Sequence, residues 1–303
     1  MASGWKAYLE RGLVGLGLHR RALRRLAPSA VVLAYHNIVP RGERPAGDLS
    51  LHLDQADFAD QLDVLAETHD VVPLEALAAP WTSDRPRAVI TFDDAYRGAL
   101  TAGLEELERR DMPSTVMVAP GILGTATWWD ALSLPDQPGL APELRRHALE
   151  VLQGRGGRIL DWARDEGLPM AELPDHALPA TAEEVVEAGR RGKTALGVHT
   201  WGHPNLAVLT EAECADEYDR SRAWLEERAP RFSDWLAYPY GLHAPPAVTA
   251  ARERFVGTLL IEGGLAWRRG RPMAGDAGTP RINVPRGLSP AGLRLRLGGV
   301  LPG

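Results

Sequence analysis

The chain has 303 residues, a net charge of -6 and a single cysteine, Cys214. This length fits one large domain, or one domain with an insertion, and the acidic balance argues against a general nucleic-acid binder. One cysteine excludes an internal disulfide framework, so the fold needs no oxidising compartment. No stretch is long and apolar enough to span a bilayer, and the start lacks the basic, apolar, small-residue order of a secretory signal. The expected location is therefore cytoplasmic.

Residues 1–29 form a first, amphipathic helical segment. Trp5 to Leu26 sets Tyr8, Leu9, Leu13, Leu16 and Leu23 among Lys6, Arg11, Arg20, Arg21, Arg24 and Arg25. Two readings stand. It is a helix docked on the domain and broken near Gly15 and Gly17, or an interfacial helix in peripheral contact with an anionic inner-membrane surface. From residue 30 to 303 the pattern is that of one α/β domain. Ala30 to Val39 reads as a first strand ending in Tyr35-His36-Asn37, and Phe58, Leu62 and Leu65 recur at helical intervals in Asp57 to Thr68.

The most telling stretch is Arg87 to Ala95, RAVITFDDA. An apolar β-branched run reads as a strand buried on both faces, and it ends abruptly in Asp93 and Asp94. Adjacent carboxylates repel each other, so a cation is the natural third party. Alternatively, Asp94 caps a helix running from Ala95 to Arg110. A strand at Ser114 to Ala119 follows. Then regularity lapses: from Thr127-Trp128-Trp129-Asp130 to Ala180 the chain is rich in Pro and Gly and shows two helices but no strand. We read about 131–180 as an insertion over the mouth of a barrel, where Trp128 and Trp129 either stack on a sugar ring or simply pack.

Alternation resumes with TALGVHTWGHP (Thr194 to Pro204), a strand that breaks into a turn holding His199 and His203. Two histidines at this spacing past a strand end are a plausible metal pair. WLAYPYG (Trp235 to Gly241) ends a third strand in a Pro-Gly turn, and PRINVP (Pro280 to Pro285) reads as the last strand. Polar chemistry gathered at several strand ends is what an α/β barrel active site needs.

Taken together, TFDD, HTWGHP and AYPYG resemble the metal-dependent polysaccharide deacetylases, the NodB-homology or carbohydrate esterase 4 group, over roughly Val31 to Pro285. The resemblance implies a distorted (β/α) barrel of about seven parallel strands with a helical insertion. It implies Asp94, His199 and His203 as ligands of a divalent metal, most consistent with zinc, and Asp93 as the general base that takes a proton from water. The Tyr240 backbone N–H would steady the oxyanion. The substrate implied is an acetylated amino-sugar glycan or glycoconjugate.

Two departures matter. Relatives usually take their general acid from a late histidine motif, and no histidine follows His243 here. Circularly permuted members carry a Tyr-His strand at the front instead, which makes His36 the candidate acid, with His243 in reserve. Many members also place an arginine three residues before the motif tyrosine to orient the base; that position is Ala237, so Arg281 of PRINVP is the candidate substitute. Competing readings are an O-acetyl sugar esterase, a carbohydrate-binding barrel with impaired turnover, and a metal-free amidohydrolase of small cyclic amides. Oligomeric state is not legible.

Overall fold

A computed structural model describes residues 2–81, 83–134 and 139–301, with residues 2–7 as backbone only. Seven strands form the centre: β1 (Ala30–Tyr35), β2 (Arg87–Asp93), β3 (Ser114–Val118), β4 (Thr194–Val198), β5 (Phe232–Ala237), β6 (Gly257–Gly263) and β7 (Thr279–Asn283). Each pairs in parallel with the next in chain order, and β7 pairs in parallel with β1. The result is a closed parallel barrel wrapped by helices, the expected architecture.

The alternation of side chains along each strand decides what reaches the site. In β2, Ile90 and Phe92 join the core under the helices, while Val89 belongs to the cluster inside the barrel. Thr91 and Asp93 share the parity of Val89 and so face inward. By the same count Ile282 lies under the helices and Arg281 turns inward, and Leu236 and Ala237 split in the same way. Tyr35 and Val198 are the last helix-facing residues of β1 and β4, which leaves His36 and His199 on the inward series. The polar residues at the strand ends therefore form the top layer of a barrel whose lower layers are apolar.

Two local expectations are corrected. The first strand does not run through to Val39: it stops at Tyr35, and Asn37–Val39 turns aside to pair with His52–Asp54. No helix starts at Ala95, because Asp94 and Ala95 both adopt left-handed backbone (φ 67° and 51°). The helical path begins two residues later, passes through a π-turn at Ala99–Gly103 and ends in Leu104–Glu108, so Asp94 is not its N-cap. An antiparallel hairpin, Leu265–Arg268 with Arg271–Pro272, was not foreseen and lies against the start of β1.

The N-terminal segment is two helices, Ala2–Gly15 and Leu18–Leu26, parted at Gly17, whose φ of 70° suits glycine. Leu26 and His19 are buried, and the buried Glu10 accepts a hydrogen bond from Ser289 at 2.7 Å, at the start of the last helix, Pro290–Leu297. The segment is thus docked on the domain. The side chains of Trp5 and Lys6 lie outside the described residues. Among the described residues no helix is long and apolar enough to cross a membrane.

Residues 128–165 gather their own apolar cluster around Trp128, Trp129, Leu149 and Ile159, and Tyr240 and Leu242 of the barrel mouth pack against it. Trp128 is fully buried and donates from Nε1 to the Tyr240 hydroxyl at 2.8 Å. It packs rather than offering a face to a sugar.

Burial also creates an acid-sensitive point away from the mouth. His69, buried behind helix Gln55–Thr68, has its pKa pushed down to about 3, first by burial and then by Arg85. Below pH ~6.5 the unfolded chain binds a proton that the folded chain refuses, so stability falls by up to about 1.4 kcal/mol per pH unit between pH ~6.5 and 3. Above that window the residue contributes no slope. Denaturant titrations at several pH values should show this decline, and His69→Gln should flatten it by that amount.

Candidate metal centre

Asp94, His199 and His203 converge at the C-terminal ends of the strands, all three buried, with one ligand atom from each within 4.8 Å of the others. The Nε2 atoms of the two histidines are 3.1 Å apart. Asp94 Oδ1 lies 3.1 Å from His203 Nε2 and 3.5 Å from His199 Nε2, yet neither contact has hydrogen-bond geometry. His199 is held from behind: its Nδ1 donates to the Ala237 carbonyl at 2.8 Å, which aims Nε2 at the cluster. His203 is held by rings instead, packing edge-on against Tyr240 at 4.5 Å and beside Trp129 at 4.8 Å.

Backbone strain collects here. Asp94, Ala95, Thr200, His203 and Tyr240 are all left-handed, five of the eight such non-glycine residues among those described. Conformations of this kind persist only where surrounding structure over-determines them, and they gather at functional sites. The loop bearing the histidines is fixed by Thr200, whose hydroxyl accepts from the His203 N–H at 3.1 Å. The buried Glu217 also holds it, accepting from the N–H groups of Trp201 and Gly202 at 3.0 and 2.7 Å.

Electrostatics follow from burial and company. Burial alone pushes the Asp94 carboxyl up, but His203 and His199 outweigh it and hold Asp94 well below the usual carboxylate range. Burial draws both imidazoles down; it prevails at His203, whereas Asp93 and Asp94 lift His199 above its ordinary value. Two imidazole nitrogens and a carboxylate oxygen thus face one another with little hydrogen bonding to satisfy them. That donor set fits a divalent cation with a position left open for a further ligand.

Beside this cluster, Arg281 and Asp93 form a buried two-pronged ion pair: Nη1 donates to Oδ1 at 2.8 Å and Nη2 to Oδ2 at 2.7 Å. The guanidinium also donates to Thr91 Oγ1 at 3.1 Å and to the Leu260 carbonyl at 2.6 Å. Burial raises the Asp93 carboxyl, and Arg281, His199 and His36 bring it below its ordinary value. Arg281 thereby stands in contact with the proposed base from the last strand, while Ala237 lends only a backbone carbonyl to His199.

A cavity of about 340 Å³ opens over these groups, lined among others by His36, Trp129, Arg145 and Tyr240. His36 is half-buried; burial lowers its pKa, against the pull of Asp93 and Asp94. Tyr240 occupies the tight turn Pro239–Gly241 with φ 56°. His243 stacks on the Tyr238 ring at 5.0 Å and is not among the residues lining the cavity.

Sequence reading missed the carboxylate behind this wall. Asp130 is completely buried and accepts from Tyr96 Oη at 2.5 Å, Thr127 Oγ1 at 2.8 Å, the Asp48 N–H at 2.8 Å and His52 Nε2 at 3.0 Å. Gly47, with φ 83°, lets the loop come close enough, since a Cβ there would strike Asp130. Trp129 Nε1 completes the set by donating to Tyr96 Oη at 2.9 Å. Asp130→Ala should cost about 3–5 kcal/mol, because it strands several buried donors at once. It should also raise KM as Trp129 and the Asp48 loop lose their anchor. Unchanged denaturation and KM would show that this network holds nothing in place.

Residues 82–254, more than half of the chain, match the family described as polysaccharide deacetylase. No curated protein matches the sequence significantly. Among solved structures, the Streptococcus pyogenes deacetylase PplD in complex with acetate superposes with TM-score 0.61 at 17% identity, covering 89% of this chain and 98% of that one. IcaB from Ammonifex degensii gives TM-score 0.60 at 19% identity, covering 90% and 98%. A de-N-acetylase from Aggregatibacter actinomycetemcomitans gives 0.55 at 14%, covering 84% and 95%. At these identities the likeness is one of fold.

Proposed function

The chain belongs to the polysaccharide deacetylase family, and from that premise we propose that it removes N-acetyl groups from amino sugars of a glycan or glycan precursor with the help of a divalent metal, zinc being the best fit. The observation that carries this reading is the buried Asp93–Arg281 pair standing beside Asp94, His199 and His203 at one cavity. A barrel that only bound sugar would have no use for an oriented, ionised carboxylate next to three metal-type donors. The de-N-acetylase among the structures of similar fold agrees with this choice of substrate.

Asp94, His199 and His203 would hold the ion, whose charge would acidify water and polarise an acetyl carbonyl. Asp93 is the base, kept ionised and aimed by Arg281. The Tyr240 N–H, presented by a strained turn, is the donor assigned to the oxyanion. An amine must leave protonated, and His36 is the group assigned to supply that proton. Burial disfavours its charged form and outweighs the pull of Asp93 and Asp94, so the proton it hands to the amine must first reach it, the water proton accepted by Asp93 being the source.

The depressed His36 also supports a second reading, O-deacetylation, because an alkoxide needs less help to leave. Acetate release should be compared on N-acetylated and O-acetylated oligosaccharides, before and after chelation and with zinc restored. Release from the amide substrate, lost on chelation and regained with zinc, is expected. Release from O-acetyl sugars alone would turn the assignment to the ester, and none from either with metal bound would end both.

A further inference from the structure

Charge is distributed along this chain in an unusual way. Residues 1–29 hold six basic side chains and one acidic, and residues 264–303 hold seven and one. The terminal segments are together +11, whereas residues 30–263 are -17. The fold brings the two basic segments together: the N-terminal helices pack on helix Pro290–Leu297, and the Arg269 N–H donates to the Leu26 carbonyl at 2.7 Å. Gly270 likewise donates to the Pro28 carbonyl at 2.8 Å. This junction lies where β1 begins, at the end of the barrel opposite the metal-type cluster.

Seven of the arginines here are not spent on ion pairs. Arg20, Arg21, Arg24 and Arg25 on helix Leu18–Leu26, with Arg268, Arg269 and Arg271 on the hairpin, are exposed, and none has a carboxylate partner among the described residues. The helix buries His19 and Leu26, so its apolar side is already used by the domain. Beside it, Tyr8 and Leu16 stand 77% and 69% exposed. A cavity of about 1050 Å³ opens next to the same helix, lined by Arg20, Arg24, Arg85 and Arg294 with Trp81 and Leu23. Its neighbouring acids are largely taken: Glu67 pairs with Arg294 at 2.5 Å and Asp70 with Arg85 at 2.7 Å, leaving Asp84.

We infer that this basic pole is a docking surface for an anionic lipid bilayer. Clustered arginines suit lipid phosphates, and exposed Tyr8 and Leu16 suit the headgroup boundary, which a nucleic acid would not reward. Docked helices and a membrane-facing pole are compatible, because different sides of the same helix serve each. Held this way, the protein keeps its mouth turned toward the solution.

The test is cosedimentation of the full chain with phosphatidylcholine–phosphatidylglycerol vesicles against pure phosphatidylcholine vesicles. Binding to the anionic vesicles only is expected, with release on going from about 0.1 M to 1 M salt, where the screening length falls from ~10 to ~3 Å. Replacing Arg20, Arg21, Arg24 and Arg25 by Gln should weaken binding roughly 100-fold or more. Replacing Arg268, Arg269 and Arg271 by Gln should weaken it as well while leaving the N-terminal helices intact. No binding, equal binding to neutral vesicles, or full binding by both variants would overturn the inference. So would capture of RNA by this face in the absence of any vesicle binding. None of these readouts depends on deacetylation.

Discussion

Replacing Arg281 with methionine should cost about 3–5 kcal/mol of stability and take most of the activity with it. The reason is geometric. Arg281 is wholly buried, and its fork spans both oxygens of Asp93 while also satisfying Thr91 and the Leu260 carbonyl. Removing it leaves a carboxylate in an apolar barrel without its counter-charge. Arg281→Lys should fall between, since it keeps the charge and loses the fork. Asp93→Asn strands the guanidinium in turn and removes the proposed base, an expected loss of roughly 100- to 10,000-fold in kcat. The double variant Asp93→Leu/Arg281→Met separates the two effects. It should recover much of the stability, because apolar pairs replace buried ion pairs well, yet remain inactive. Denaturant titration and acetate release on the four variants would check this, and an active double variant would refute the role given to Asp93.

How much of this was readable from residues alone depends on how local each signal is. Asp93, Asp94, His199 and His203 stood out because apolar strands broke into charge or imidazole at their ends, a pattern contained within ten residues. Strand parity then carried Asp93 and Arg281 inward without further information, but that they meet requires β7 to close onto β1, with Arg281 and Asp93 188 positions apart. Asp130 gave no such sign. A buried acid and a surface acid look alike in sequence, and three of its four partners lie 34, 78 and 82 positions away. Glu217 was hidden for a similar reason: helix Glu211–Arg228 announces itself through the Thr210–Glu213 capping box, but not which of its acids turns inward. The false helix start at Ala95 has the opposite cause. Asp before a helical pattern is a sound capping signal, and here it is overridden by the tight turn at the strand end, in which Asp94 and Ala95 both take left-handed backbone.

That same backbone makes Asp94→Asn the sharpest test of the metal centre. Asparagine has nearly the shape of aspartate and tolerates left-handed backbone, so the substitution removes a charge and little else. In chelator the variant should lose only what Asp94 gains from its two imidazole neighbours. The informative quantity is the increment on adding zinc. A ligand that binds only the folded state stabilises it by about 4 kcal/mol when present at 1,000 times its dissociation constant. The native chain should show such an increment, and Asp94→Asn should lose most of it because one of three donors has become a weak neutral one. Activity should fall to background in parallel. His203→Asn should behave alike, since it too sits at a left-handed position, with φ 55°. Comparing each protein with and without zinc cancels whatever the substitution does to folding in general. An equal zinc increment in all three would place the ion elsewhere, and the cluster of Asp94, His199 and His203 would then need another explanation.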